Sequence, residues 1–244
     1  MKNYQLIKKE QLHYLKASNH HPSDTYFHFS FADYYDPANI NFGKLRVIND
    51  DFIKANSGFS THPHKDMEIV SYILDGELTH KDSTGNTEKL LRGYVQAISA
   101  GTGVYHSEIN GGSEQCRLLQ IWVYPNEKNL PVSYTINKVN PEERENKLLQ
   151  IISSTSKPED AKLNINQDFS VYVSELNDKD TEINFTVGED RQIYLYSFEG
   201  SIMINNEIIL EEMDSLKLWG KTDLSIKLNS EKAHFIILEM EKSL

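Results

Sequence analysis

Glu68-Ile69-Val70-Ser71-Tyr72-Ile73-Leu74-Asp75-Gly76-Glu77-Leu78-Thr79-His80 reads as a strand, a tight turn and a returning strand. Ile69, Val70, Tyr72, Ile73 and Leu74 supply the β-branched and aromatic side chains that a half-buried pleated surface favours. Asp75-Gly76 is the punctuation between the two runs. The same grammar continues on both sides. Leu45-Arg46-Val47-Ile48, Tyr94-Val95-Gln96-Ala97-Ile98 and Leu118-Leu119-Gln120-Ile121-Trp122-Val123-Tyr124 are further strands, and Ser83-Thr84-Gly85-Asn86 is a second turn. Short strands with turn signals at this density predict an all-β sandwich or barrel, and exclude a βαβ fold.

The pattern breaks over residues 125–148, where Pro125, Asn126, Pro131, Pro141 and Glu142-Glu143-Arg144-Glu145 read as a linker with a short helix. Strands resume in Phe169-Ser170-Val171-Tyr172-Val173, Gln192-Ile193-Tyr194-Leu195-Tyr196 and Phe235-Ile236-Ile237-Leu238. Tyr196-Ser197-Phe198-Glu199-Gly200-Ser201-Ile202 restates Tyr72-Ile73-Leu74-Asp75-Gly76-Glu77-Leu78 as strand, acid, glycine and strand. The expected organisation is therefore a first β-domain at 1–130, a linker at 131–148 and a related β-domain at 149–244.

Composition narrows the class. The chain has 244 residues and a formal net charge of -11, enough length to bury a sizeable core. The acidic balance argues against nucleic acid, whose phosphates need a basic footprint, and leaves room for a protein partner. One cysteine, Cys116, cannot form an internal disulfide, which fits a reducing cytoplasm and a buried inert thiol. Met1-Lys2-Asn3-Tyr4-Gln5 opens no leader-like apolar run, and no segment approaches the ~20 apolar residues of a membrane span.

Chemistry concentrates in His62-Pro63-His64 and His106-Ser107-Glu108. Residues two apart in a strand point to the same face. Each pair therefore presents two ligands together, and two such strands in one barrel would converge three imidazoles and a carboxylate. Nitrogen and oxygen donors suit Fe(II), Mn(II), Ni(II), Cu(II) or Zn(II), and four protein ligands leave open positions for chemistry. Pro63 is expected on an edge strand or a bulge, because proline removes a ladder donor. Gly101 and Gly103 allow a sharp bend before His106. Glu68 and Asp66 share the parity of His62 and His64, so Glu68 and Glu108 compete as fourth ligand, and the other would orient an imidazole. Asn110 is foremost a turn residue before Gly111-Gly112. His20-His21 is expected in an exposed loop, and His80 has no evident role. The second half holds a single histidine, His234, and no His-x-His, so it is expected to lack a comparable site.

Three stretches resemble the pirin family of the cupin superfamily: Gly58-Phe59-Ser60-Thr61-His62-Pro63-His64-Lys65-Asp66-Met67-Glu68, Gly76-Glu77-Leu78-Thr79-His80-Lys81-Asp82-Ser83, and Gly93 through Glu108 with its Ala100-Gly101-Thr102-Gly103-Val104-Tyr105-His106-Ser107-Glu108 ending. The resemblance implies two tandem cupin (jelly-roll-type) β-barrels, the second like the C-terminal cupin domain of bacterial quercetinase-like pirins. It implies one metal, commonly iron, held by His62, His64, His106 and Glu108 in the first barrel, with zinc, manganese, nickel, copper and cobalt as other divalent ions of that chemistry. It further implies an oxidoreductase of the quercetin 2,3-dioxygenase type, opening an enol or phenol substrate with O2. Glu108 or Glu68 would then be the catalytic base. The family also implies two other roles, a metal- or redox-sensing co-regulator and a cupin enzyme for another metabolite. Lys65-Asp66-Met67 departs from the more usual Arg-Gly-Phe of the first motif, which bears on substrate choice and not on the ligands.

Overall fold

The computed structural model describes residues 3–18, 20–157 and 161–242; Met1 and Lys2, read above for a leader, lie outside them. Described elements are almost all strands, with one short 3-10 turn at Lys9–Gln11 and one helical turn at Pro141–Arg144. No described helix is long and apolar enough to cross a membrane. The chain divides into two compact units: His13–Lys138 with Leu163–Gln167, and Met1–Leu12 with Val139–Lys162 and Asp168–Leu244.

In the first unit a large antiparallel sheet runs Ser133–Lys138, Tyr94–Ser99, Glu68–Asp75, Cys116–Val123, Leu45–Ile53, Ser23–Phe27 and His13–Leu15. A smaller sheet runs Ser57–His64, Val104–Asn110, Glu77–Asp82 and Thr87–Leu91. The chain passes from the large sheet to the small one at Gly76, which takes the left-handed region (φ 70°) where a Cβ would stand 2.5 Å from the Gln115 carbonyl oxygen. Only glycine fits there. One end of the interior is apolar, with Ile53, Ile73, Leu78, Leu90, Cys116 and Leu118 packed together. Burial, with nearby carboxylates adding, pushes the Cys116 thiol up to about 12, so it stays protonated and inert.

The second unit repeats this plan strand for strand. Its large sheet carries Ser215–Trp219, Arg191–Glu199, Ala233–Glu241 and Phe169–Leu176 in the order of Tyr94–Ser99, Glu68–Asp75, Cys116–Val123 and Leu45–Ile53. Its small sheet orders Glu182–Val187, Thr222–Leu228, Ile202–Ile204 and Ile208–Leu210 as the first unit orders its own four. Gly200 (φ 65°) occupies the place of Gly76. A large apolar cluster packs in its interior, including Ile183, Leu195, Ile204, Leu224, Ile226 and Phe235.

The boundaries differ from those expected at 130 and 149. Ser133–Lys138, inside the expected linker, is an edge strand that pairs with Tyr94–Ser99. Tyr4–Ile7, inside the expected first domain, pairs with Ser215–Trp219. Leu163–Gln167 returns to the first unit. Strand exchange of this kind is fixed by pairing partners far away in the chain, which local composition does not record.

Candidate metal centre

His62 and His64 lie on Ser57–His64, the edge strand of the small sheet, where Pro63 costs no ladder bond that a neighbour needs. His106 and Glu108 lie on the adjacent Val104–Asn110. His106 is directly opposite His62, and a bulge then brings Glu108 opposite Phe59. The preceding bend uses Gly101 in a left-handed conformation (φ 39°).

The three imidazoles converge. Nε2 of His62 and Nε2 of His106 are 3.0 Å apart. The ring of His64 stands 4.8 Å from each of the other two. His62 Nδ1 is 2.8 Å from the Ser60 carbonyl oxygen; a carbonyl accepts only, so Nδ1 carries the proton and Nε2 presents its lone pair. Burial, followed by repulsion from the neighbouring histidines, lowers His64 and His106 to about 3. They are neutral at pH 7, the protonation state that ligates a metal. His106 and Glu108 also form a close group with His80, each offering a ligand atom within 4.8 Å of the others.

Glu108 is buried and held by amides. Gln96 Nε2 donates to Oε1 and Gln120 Nε2 to Oε2, each at 2.8 Å. The Ser71 hydroxyl lies 3.3 Å from Oε1. These side chains come from one row across the large sheet: Asn49 is opposite Gln120, Gln120 opposite Ser71, and Ser71 opposite Gln96. Glutamine and serine in the middle of apolar strands are the signal of this row, and it was open to view in Leu119-Gln120-Ile121 and Val95-Gln96-Ala97.

Glu68 is not in this cluster. Its carboxylate accepts from Ser99 Oγ at 2.7 Å and from the Asn166 backbone N–H at 3.1 Å. The shared parity with His62 and His64 fails because the strand ends at His64 and Asp66, in the bend that follows, takes a left-handed conformation (φ 49°). Glu68 then begins a strand of the other sheet. The expectation of Glu68 as ligand or base is therefore corrected: it anchors Leu163–Gln167. Asp66 itself accepts from the Asn129 N–H at 2.6 Å, and Met67 packs against the cluster of Ile69 and Ile98. Asn110 closes its turn, accepting from Gly112 N–H and donating to the Ile53 and Glu114 carbonyls.

Two histidines gain places. His80 is fully buried, stacks on Tyr134 at 4.6 Å and lies 3.2 Å from Asp82 Oδ2 through Nε2. Burial opposes ionisation of Asp82, yet hydrogen bonds from Asn86, Thr84 and His80 outweigh it and hold the carboxyl well below its usual range. His21 is half-buried instead of lying in an open loop, with its ring edge against Phe27 and Phe59. It helps line a cavity of about 50 Å³ together with Phe31, Asn49, Asp51, Phe59, His62, His64, Glu108, Gln120 and Trp122. A wider mouth of about 340 Å³ shares the Phe31, Phe59, His62, His64 and Trp122 walls. An apolar cleft with a few convergent polar groups is the usual build of a small-molecule site.

In the second unit the strand matching Ser57–His64 carries Ile183 and Phe185, and the one matching Val104–Asn110 carries Leu224 and Ile226. Among the described residues, the clusters able to hold a metal both lie in the first unit.

Comparison with known proteins follows the same division. Residues 9–123 match the pirin family, and residues 150–240 match the quercetinase C-terminal cupin domain. A quercetin 2,3-dioxygenase of Escherichia coli (strain K12) is 38% identical over 215 residues, covering 88% of this chain and 90% of its own. A pirin-like protein of Caulobacter vibrioides is 38% identical over 200 residues, covering 82% and 85%. The crystal structure of the bacterial pirin YhhW from Escherichia coli in complex with nickel(II) superposes with a TM-score of 0.88 at 33% identity, over 98% of this chain and 100% of that one. Two barrels of one strand order, a histidine cluster in the first and relatives matched along most of both lengths place this chain in the pirin family.

Proposed function

We propose that His62, His64, His106 and Glu108 hold one divalent transition-metal ion, and that the protein is an oxidoreductase acting with O2 on an enol or phenol, flavonols such as quercetin among them. The observation that carries the metal is the His62–His106 contact. The Nε2 atoms of His62 and His106 stand 3.0 Å apart, with the His62 lone pair turned toward His106, so both would be offered to one ion. The open cavity beside them distinguishes a catalytic centre from a closed structural one. Iron(II) is the proposed ion, as the resemblance implies; the nickel(II) complex of the related bacterial pirin makes nickel the competitor.

Bound there, the ion supplies Lewis-acid polarisation of a substrate oxygen. The protein supplies the rest. Phe31, Phe59 and Trp122 form walls against which an aromatic ring packs and from which water is displaced. Gln96 and Gln120 fix both Glu108 oxygens, so the carboxylate meets the centre in one orientation. Support for the dioxygenase reading comes from relatives named as quercetin 2,3-dioxygenases over most of their length.

The test is oxygen uptake by Fe(II)-loaded protein with quercetin, beside His62→Ala. Metal-dependent uptake that is lost in the variant supports the proposal. Metal bound in the wild type with no uptake on any flavonol or simpler enol refutes the dioxygenase activity.

A further inference from the structure

Two acceptors on Leu45–Ile53 line the cavity beside the imidazoles. Asn49 and Asp51 are two residues apart and leave the same face of the strand. Both are almost fully buried. Asn49 Oδ1 has no hydrogen-bond partner among the described residues, and a buried unpaired acceptor carries a cost that a ligand hydroxyl would remove. Asp51 is connected instead. Thr25 Oγ1 donates to Asp51 Oδ1 at 2.5 Å, and the same oxygen lies 2.8 Å from His21 Nε2. His21 stands in the wider mouth of the cavity. A hydroxyl and an imidazole can each accept a proton while giving one up, so the hydrogen bonds are continuous from the cavity wall to the mouth.

We propose that Asp51 takes the proton from the enol or phenol hydroxyl bound in this cavity and passes it through Thr25 and His21 to solvent. The proposal rests on the enol-binding function proposed above. In balance, the substrate O–H bond breaks and leaves its electron pair on oxygen, while the Asp51 carboxylate gains the proton. With the His21 ring exchanged through water to its Nδ1–H tautomer, Asp51 gives the proton to Thr25 Oγ1 as Thr25 turns its own hydroxyl proton to the free Nε2 of His21. The imidazolium then loses the proton on Nδ1 to water.

The groups around Asp51 set its readiness. Thr25 and Ser23 reach it from the neighbouring strand, Asp50 adjoins it, and Glu108 acts on it from the small sheet. Burial, with the two carboxylates adding, outweighs the hydrogen bonds and raises Asp51 to about 7. A base titrating near the working pH transfers protons most effectively. Burial lowers His21, which leaves its ring neutral and able to accept.

The experiment uses full-length, metal-loaded protein with quercetin under anaerobic conditions. Visible absorption reads ionisation of the bound flavonol, and an indicator dye reads proton release. Wild-type protein ionises the flavonol and releases the proton. Asp51→Asn keeps the shape and the bond from Thr25; its ionised fraction is expected to fall about 10-fold and its aerobic kcat about 100-fold, within the range of general-base losses. Thr25→Val is expected to ionise the bound flavonol as wild type does but to slow proton release about 10-fold, with Thr25→Ser restoring it. Full ionisation in Asp51→Asn, or fast release in Thr25→Val, overturns the proposal. Should Asp51→Asn fail to fold, the Thr25 pair decides. A wild-type protein that holds metal but binds no flavonol instead overturns the underlying function, and the role of Asp51 with it.

Discussion

Gln120→Leu tests how Glu108, the proposed fourth ligand, is held. The substitution keeps the volume of a nearly buried side chain and deletes the donor that meets Glu108 Oε2 at 2.8 Å. A hydrogen bond to a charged acceptor contributes about 1.5–3 kcal/mol, and about 1.4 kcal/mol is a factor of ten in affinity. The full loss would therefore weaken metal binding by about 10- to 100-fold. Gln96 still donates to Oε1 at 2.8 Å, so the carboxylate keeps one anchor and the expected loss lies near 10-fold, rising toward 100-fold when Gln96→Leu is added. Competition against a chromophoric chelator measures the dissociation constant, and a urea melt of the apoprotein checks that the fold survives. If Gln120→Leu folds normally and its metal affinity stays within about 2-fold of wild type, the orientation of Glu108 is irrelevant to the ion, and its assignment as a ligand fails.

Three further outcomes follow from the same geometry. Glu68→Gln should leave the metal dissociation constant within about 3-fold while destabilising the protein by about 1–3 kcal/mol, because a buried acceptor set facing Ser99 and Asn166 is disturbed; chelator competition and urea unfolding separate the two. Gly76→Ala should cost several kcal/mol, about 1–2 from the left-handed backbone and about 1–3 from overpacking against Gln115, read as a drop in the urea midpoint. Apoprotein stability should fall as pH is lowered from about 6.5 towards 4: His64 and His106, lowered to about 3, and His234, lowered to about 4, bind protons only after unfolding, whereas Asp51, raised to about 7, binds one only when folded. Near pH 5.5 the balance is three minus one, about two protons taken up on unfolding, or a slope of about 2.7 kcal/mol per pH unit; a flat or inverted slope in urea melts across that range would contradict the burial of these imidazoles.

The strands and the ligand pairs were legible because they are local. His62 with His64, and His106 with Glu108, are joined by the period of two within single strands, and Asp75-Gly76 announces its own turn. What sequence could not supply was pairing. Glu68 kept its parity on paper until Asp66 turned the backbone and delivered it to another sheet. Asn49, Ser71, Gln96 and Gln120 are scattered between positions 49 and 120 of the sequence and become neighbours only through register. His21 and Asp51 meet through Thr25, on a strand whose partner the local pattern does not name.

The second barrel explains why that polar row matters. Both units close the same eight-strand arrangement, so the fold itself does not require polar groups inside. Where the small-sheet positions became Ile183, Phe185, Leu224 and Ile226, these side chains join a large apolar cluster, and each buried side chain contributes about 1.5–3 kcal/mol. Where they are His62, His64, His106 and Glu108, that hydrophobic gain is forgone. Buried polar groups of this kind are tolerated only when every lone pair and proton finds a partner. The large sheet meets most of this demand through Gln96, Gln120 and Ser71 around Glu108. Among the described residues it leaves Asn49 Oδ1 without a partner, and the Nε2 atoms of His62 and His106 facing each other. Retaining that polar chemistry on the small sheet of one barrel while its twin carries hydrocarbon on the matching strands is the physical mark of a site kept for binding, because stability alone would favour the second solution in both.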